Sequence, residues 1–408
     1  MTSHKTYIHL VIFSMLSAFL ALLPLDAATI ITRTFHDNVE YRKIQVESDA
    51  GDVFVHLVLI DKSAIEDGTL VVEPVSGGTN AGSTGSVQSI ASRSDAFACI
   101  NGPYFAESDS KTYPLGFTVL DGRVAGVGNL KRPLIGLDPD GNLEIEVGHP
   151  KVFVTSEAYM QPVWIWSINA SPEEDVVTLF DRSLGASVSF EGGLGGVGVA
   201  VGPIPPLEAG ENDIEISSRT GRMDDYDGEV VEVSSGGSIS IPENGFALVF
   251  RGRSVPEAEK YTPGTGVAIY AYELPRGFES LEWIVTLGPW FIRNGNYNNF
   301  TSETSYGGGI TGRAVRSAIG ITWNDEIFFA KTTGPGLTPR QAADVLIKCN
   351  AKEAVMCDSG SSSGMWIDGI GTVGSSRAIP LGFIVRESTE SDSAPHEPLR
   401  VWEGRLRR

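Results

Sequence analysis

Residues 354 to 366 read AVMCDSGSSSGMW. A short apolar run ends on Asp358, and glycine and serine come after it. A carboxylate at the carboxyl end of a buried strand sits where loops leave a sheet and side chains converge on ligands. The small residues Gly360, Ser361 and Ser362 let backbone approach a ligand closely. They also offer N–H groups and hydroxyls suited to a phosphate or to sugar hydroxyls. The same composition describes an ordinary surface turn. The segment further fits G-x-S-x-G with Ser362 as nucleophile, a motif that needs a strand–turn–helix setting and a later acid and histidine. The next residues, MWIDGIGTVGSS, have no helical pattern, and only His396 comes later. Both facts argue against a Ser362 hydrolase.

Other residues could share such a site. FACINGPYF ends a strand at Asn101. Asn-Gly there is commonly a turn, yet Asn101 could hydrogen-bond a polar ligand, and Tyr104 and Phe105 could offer a face to a sugar ring. Asn169 is also polar and strand-terminal. It opens an N-A-S sequon, and Asn299 opens N-F-T; a pocket role for Asn169 would leave its sequon unused. Arg313, Arg316 and Arg377 flank strands and could hold a phosphate bidentately or be solvated rim arginines. For a second carboxylate the candidates are Glu107, Asp109 and Glu303, each of which also reads as a solvated loop acid.

The elements that must position these residues are mostly strands. DVFVHLVLI and AFACI read as buried or half-buried strands, and VWIWSINA as another. Hairpins are signalled at Asp121-Gly122, at Asp138 to Gly141 and at Asn324-Asp325. Residues 185 to 210 are glycine-rich and lead into three prolines. One helix is well marked in GLTPRQAADVLIKCNAKEA. Thr338 is its N-cap, Pro339 its first residue and Gln341 the partner of a capping box, and Ala342, Val345, Leu346 and Cys349 form one apolar face. The fold class expected is α+β: a β-rich mixed sheet with few helices, in a single large domain with a long insertion. PLGFTV at 114–119 is echoed by PLGFIV at 380–385, either by coincidence or as equivalent strands of one sheet.

The chain has 408 residues, 41% hydrophobic and 20% charged, enough for a sizeable core. Its net charge of −20 disfavours nucleic acid and anionic lipid as partners. Residues 1–27 read as a secretory signal peptide, with an uncleaved anchor as the alternative, so a secreted or periplasmic location is expected and no membrane contact beyond that segment. Residues 28–89 read as an N-terminal β-rich segment and 387–408 as a polar tail. Three cysteines are too few for a disulfide scaffold. Cys99 and Cys357 read as buried small hydrophobes, with one bridge to Cys349 left open. No Cys/His spacing suggests a metal.

AFACINGPYF, PLGFTVLDGRV, RSAIGITWNDEIFFA…GLTPRQAADVL and AVMCDSGSSSGMW…SSRAIPLGFIV together resemble the phosphodiester glycosidase family, with INASPEEDVVTLF a weaker match. Order and spacing agree over residues 90–386, with about 180–280 as a variable insertion. The family's hallmark usually reads Asp-Gly-Gly-Gly-Ser; here Ser359 replaces the first glycine, and Pro103 stands where a second glycine is common. The resemblance implies hydrolysis of a sugar-1-phosphodiester, with a carbohydrate phosphodiester as partner. It assigns catalysis to Asp358, Arg316 and Arg377. Arg316 and Arg377 would hold the phosphate with the N–H groups of Gly360 and Ser361; Asp358 would orient the sugar or act as base; Asn101, Tyr104, Asn169 and Ser362 would line the sugar site. No cofactor is required; a divalent cation on Asp358 is compatible with the residues but not demanded by them. A non-catalytic glycan-binding module is the alternative from another class. Oligomeric state cannot be read.

Overall fold

The computed structural model describes residues 27–80, 82–108, 111–120, 123–157, 159–203 and 227–389, with Asp392 and Leu399 besides. The expected signal peptide, apart from Ala27, and most of the polar tail lie outside the described residues, as do Asp109, the Asp121-Gly122 turn and His396.

Period-2 alternation builds three stacked layers. The first is an eight-stranded sheet in the order Ala27–His36, Val39–Val46, Val53–Ile60, Ile327–Thr333, Ser317–Thr322, Ala351–Met356, Trp290–Arg293 and Asn296–Tyr297. Two five-stranded sheets face it. One runs Gly371–Gly374, Gly364–Ile367, Ala98–Asn101, Leu381–Glu387, Leu70–Ser76; the other runs Leu143–Gly148, Arg132–Leu137, Trp283–Thr286, Thr118–Leu120, Arg123–Gly126. Val58, Ile319, Phe329 and Val355 of the large sheet share one core with Ile100, Met365 and Phe383 and with Ile135 and Val285.

The residues one step along these strands face the other way, as pleating requires. Leu134 and Ile284 pack toward a closed seven-stranded barrel formed by strands from Lys151–Ser156 to Gly266–Tyr272, and join its interior around Val154, Leu248 and Phe250. Cys99 and Ile384 pack under the short helix Val87–Arg93. The outer face of the large sheet is covered by the helix Pro339–Lys348, whose Ala342, Val345 and Leu346 meet Val55, Leu57 and Phe328. Its Thr338–Gln341 capping box is formed in both directions. Each such aliphatic side chain, fully buried, is worth about 1.5–3 kcal/mol relative to exposure.

The β-rich reading with few helices holds. Among the described strands, pairing is antiparallel except for Tyr159–Ile168 with Val177–Asp181, which lie parallel inside the barrel and make that sheet the mixed one. The helices are too short and few to form an α layer of their own. The strands of the two PLGF segments lie in different sheets. Cys99, Cys349 and Cys357 are all buried and free, so no bridge forms.

Candidate active site

Asp358 leaves the strand Ala351–Met356 at the point where three other segments end or begin. Asn101, wholly buried at the end of Ala98–Asn101, donates from Nδ2 to the Asp358 carbonyl at 2.8 Å. Its Oδ1 accepts from the Ser317 hydroxyl at 2.6 Å and from the Gly364 N–H at 3.1 Å. The Asp358 N–H donates to the Gly102 carbonyl at 2.9 Å, and Cys357 N–H to the Ser317 carbonyl at 2.9 Å. Every end of the Asn101 amide is therefore spent on protein, and its place is beneath the carboxylate, fixing the backbone that carries it.

The Asp358 carboxylate accepts from the Ser359 N–H at 2.8 Å and from the Ser362 hydroxyl. Burial raises its proton affinity above the ordinary carboxylate range; the two hydrogen bonds and the Arg377 guanidinium act in the opposite sense. Arg377 donates to the Ser362 hydroxyl at 3.1 Å and to Glu107 at 3.1 Å, with its guanidinium 4.8 Å from the centroid of Phe105. Ser361 lies at the edge of the same bracket, 3.5 Å from Arg377.

The loop itself explains the Ser359 departure from the family pattern. Ser359 has φ −114° and ψ 175°, an extended conformation open to any residue, whereas Gly360 has φ +67°. Glycine is thus needed at the second position and not at the first. After the 3₁₀ turn Gly360–Ser362 the chain enters the strand Gly364–Ile367, so the helix that a G-x-S-x-G nucleophile requires is replaced by a strand.

Three expected ligands fall elsewhere. Arg316 is 1% exposed, and its guanidinium donates to the Leu337 carbonyl at 3.0 Å, to the Gly312 carbonyl and toward the Met356 sulfur at 3.4 Å. The guanidinium caps these carbonyls and braces the strand start, while Tyr104 and Arg316 lie in each other's field. The Gly360 N–H donates to the Val315 carbonyl at 3.0 Å and is not free for a ligand. Asn169 accepts the Asp181 N–H at 3.0 Å and donates to the Ser183 hydroxyl at 3.3 Å. It lines a separate depression of about 450 Å³ beside the barrel, with Tyr113, Arg123 and Arg182, that does not include Asp358.

Of the candidate second carboxylates, Glu107 is exposed and paired with Arg377. Glu303 is buried. It accepts the Trp290 N–H at 3.1 Å and the Tyr306 hydroxyl, and burial raises its proton affinity against those bonds and the nearby Arg132 charge. Arg132 stacks 4.5 Å from the Tyr306 ring centroid and 5.6 Å from that of Tyr104. Tyr104 in turn lies in the fields of Asp358, Arg316 and Arg132. Sequence reasoning missed Arg132 and Tyr306. The one signal was a cation leading the uniformly apolar strand RPLIGL. Among the described residues, no three His, Cys, Asp or Glu side chains converge as a metal-holding group.

A β-rich scaffold presenting a desolvated strand-end carboxylate and a hydroxyl–arginine bracket is a scaffold for a polar ester or glycoside. Residues 223–386 match the phosphodiester glycosidase family. That span holds Glu303, Arg316, Asp358 and Arg377 and leaves out Asn101, Tyr104 and Arg132. No curated protein matches the chain. A hypothetical protein from Synechocystis shares its fold at a TM-score of 0.69 and 18% identity, over 89% of this chain and 64% of that one, so this chain spans under two thirds of that protein. A "Putative exported protein" from Burkholderia pseudomallei K96243 gives 0.66 and 16%, over 90% and 98%. The zebrafish N-acetylglucosamine-1-phosphodiester alpha-N-acetylglucosaminidase catalytic domain, auto-inhibited by its pro-peptide, gives 0.45 and 13%, over 89% of each chain, too low a likeness to bear on this fold. Among the described residues, no helix is long and apolar enough to cross a membrane.

Proposed function

We propose that this protein hydrolyses a sugar-1-phosphodiester, of the N-acetylglucosamine-1-phosphodiester kind, outside the cytoplasm. The observation that carries the reading is the Asp358 carboxyl, held by Ser359 and Ser362 within the field of Arg377, in a segment matching the phosphodiester glycosidases.

The glycosidic carbon–oxygen bond breaks through an oxocarbenium-like state with a phosphate ester leaving. Such a leaving group is already stable as an anion, so strong protonation is less needed than for an ordinary glycoside. The protein supplies charge neutralisation and a placed water. Arg377, partly exposed on the Phe105 ring, meets the developing phosphate charge together with the Ser361 hydroxyl. Asp358 takes the proton of the attacking water, its burial keeping it basic. Glu303, buried on the Tyr306 hydroxyl and in the field of Arg132, is the second carboxylate.

The test is incubation with an N-acetylglucosamine-1-phosphodiester and measurement of released reducing sugar. Wild-type turnover that disappears in a folded Asp358→Asn variant supports the reading. Full activity in that variant removes Asp358 from the reaction, and binding without turnover would make the chain a glycan-binding module.

A further inference from the structure

Against the rings of Tyr104 and Tyr306 lies a cation that no carboxylate contacts, although Glu303 lies in its field. Arg132 is 8% exposed, yet its side chain makes no ion pair and no hydrogen bond among the described residues; its contacts are the faces of Tyr104 and Tyr306. Its Nε is buried without a partner, and so is the Tyr104 hydroxyl. Glu303 lies in the field of Arg132 but gives it no hydrogen bond; its oxygens accept the Trp290 N–H and the Tyr306 hydroxyl.

A buried N–H left without an acceptor is costly, and a buried hydroxyl without a partner adds to that cost. Native interiors satisfy nearly all such groups, so two orphan donors on adjoining side chains point to an absent acceptor. An anion suits these donors, because one of them belongs to a guanidinium. The planar fork of a guanidinium stacked between two rings fits oxygens held in a tetrahedral phosphoryl group. The Tyr104 hydroxyl extends the same donor set toward Asp358.

We propose that Arg132 and Tyr104 form an anion site for the phosphoryl group, taking its non-bridging oxygens in the place that sequence reasoning gave to Arg316. The identity of the ester rests on the function proposed above; the anion site itself does not. Bound there, the phosphoryl group lies between Arg132 and the Asp358 rim, with Arg377 closing the opposite side.

The probe is inorganic phosphate, titrated calorimetrically and by thermal unfolding into wild type, Tyr104→Phe and Arg132→Lys. Tyr104→Phe deletes one unpartnered oxygen, so the ligand-free variant should unfold at the same temperature as wild type or higher. Phosphate affinity should fall about tenfold or more in each variant. With a turnover substrate, KM should rise by a similar factor in Tyr104→Phe. Should Arg132→Lys fail to fold, Tyr104→Phe decides alone. Equal phosphate affinity in wild type and Tyr104→Phe, or no phosphate binding by wild type at tens of millimolar, overturns the proposal and leaves the orphan donors to water. Because binding is read without turnover, an inert but phosphate-binding wild type would count against the hydrolase reading only.

Discussion

The Asn101 amide supports the Asp358 carbonyl at 2.8 Å across 257 residues of sequence. The same side chain holds Ser317 and Gly364, so one amide clamps four chain segments at the rim. Asn101→Asp keeps the shape but turns the donor into an acceptor facing a carbonyl, and buries a charge with no cation beside it. We expect a loss of about 3 kcal/mol or more in urea unfolding, with activity falling alongside. Ser317→Ala removes a single hydroxyl from the clamp and should cost only about 1 kcal/mol. Equal losses in the two variants would show that Asn101 is not the centre of the clamp.

Asp358→Asn should lower kcat by roughly a hundredfold or more, the usual worth of a placed acid or base, while making the fold more stable. The sign is set by burial. The folded carboxyl binds its proton more tightly than the unfolded one, so ionisation above pH ~3.9 disfavours the folded state. The stability gain of the variant should therefore be present at pH 7 and fade as the pH falls through the carboxylate range. A variant destabilised at pH 7 would mean that the Ser359 and Ser362 bonds outweigh desolvation.

Glu107 holds Arg377 by an ion pair in which both side chains are substantially exposed. Pairs of that kind contribute at most about 1 kcal/mol. Glu107→Gln should leave the unfolding midpoint nearly unchanged and lower KM by roughly twofold to fivefold, since Arg377 is released for the substrate. Arg377→Ala should raise KM about tenfold or more. A rise in KM in Glu107→Gln would assign Glu107 to positioning Arg377.

These expectations separate what was legible in the sequence from what was not. Asp358 announces itself because an apolar strand stops at a lone carboxylate, and the helix Pro339–Lys348 announces itself through Thr338, Pro339 and Gln341. Local chemistry carries both. The burial of Arg316 was not legible because a strand-flanking arginine looks the same whether its guanidinium turns to solvent or inward to the Leu337 carbonyl. Arg132 and Tyr306 are 174 positions apart, and their stacking exists only once the Arg132–Leu137 strand and the loop after Asn296–Tyr297 meet. Barrel closure was hidden for the same reason. It depends on Lys151–Ser156 pairing with Gly266–Tyr272, a register that strand periodicity alone does not specify.

A buried basic pair makes the large sheet sensitive to acid. His56 lies between the Tyr41 hydroxyl at 2.9 Å and the Thr333 hydroxyl at 3.3 Å. Burial first, then Lys43 and Lys331, push its imidazolium down to about 4. Its neighbour Lys331, wholly buried with Nζ on the Thr332 carbonyl at 2.7 Å, is lowered by burial to about 8. A histidine lowered in the fold takes up its proton first in the unfolded chain. Its contribution is thus complete above pH ~6.5 and is lost as the pH falls toward 4, by an amount on the order of 3 kcal/mol. Lys331 acts the same way at higher pH, so by pH 7 its charged form already weighs against the fold. Lys331→Met should therefore raise stability at pH 7 and, with one repelling charge gone, bring the His56 titration closer to 6.5. Nuclear magnetic resonance titration of the His56 ring in both proteins, beside urea unfolding from pH 4 to 8, reads both effects. A His56 titration left in place by the substitution would show that the two groups do not sense each other.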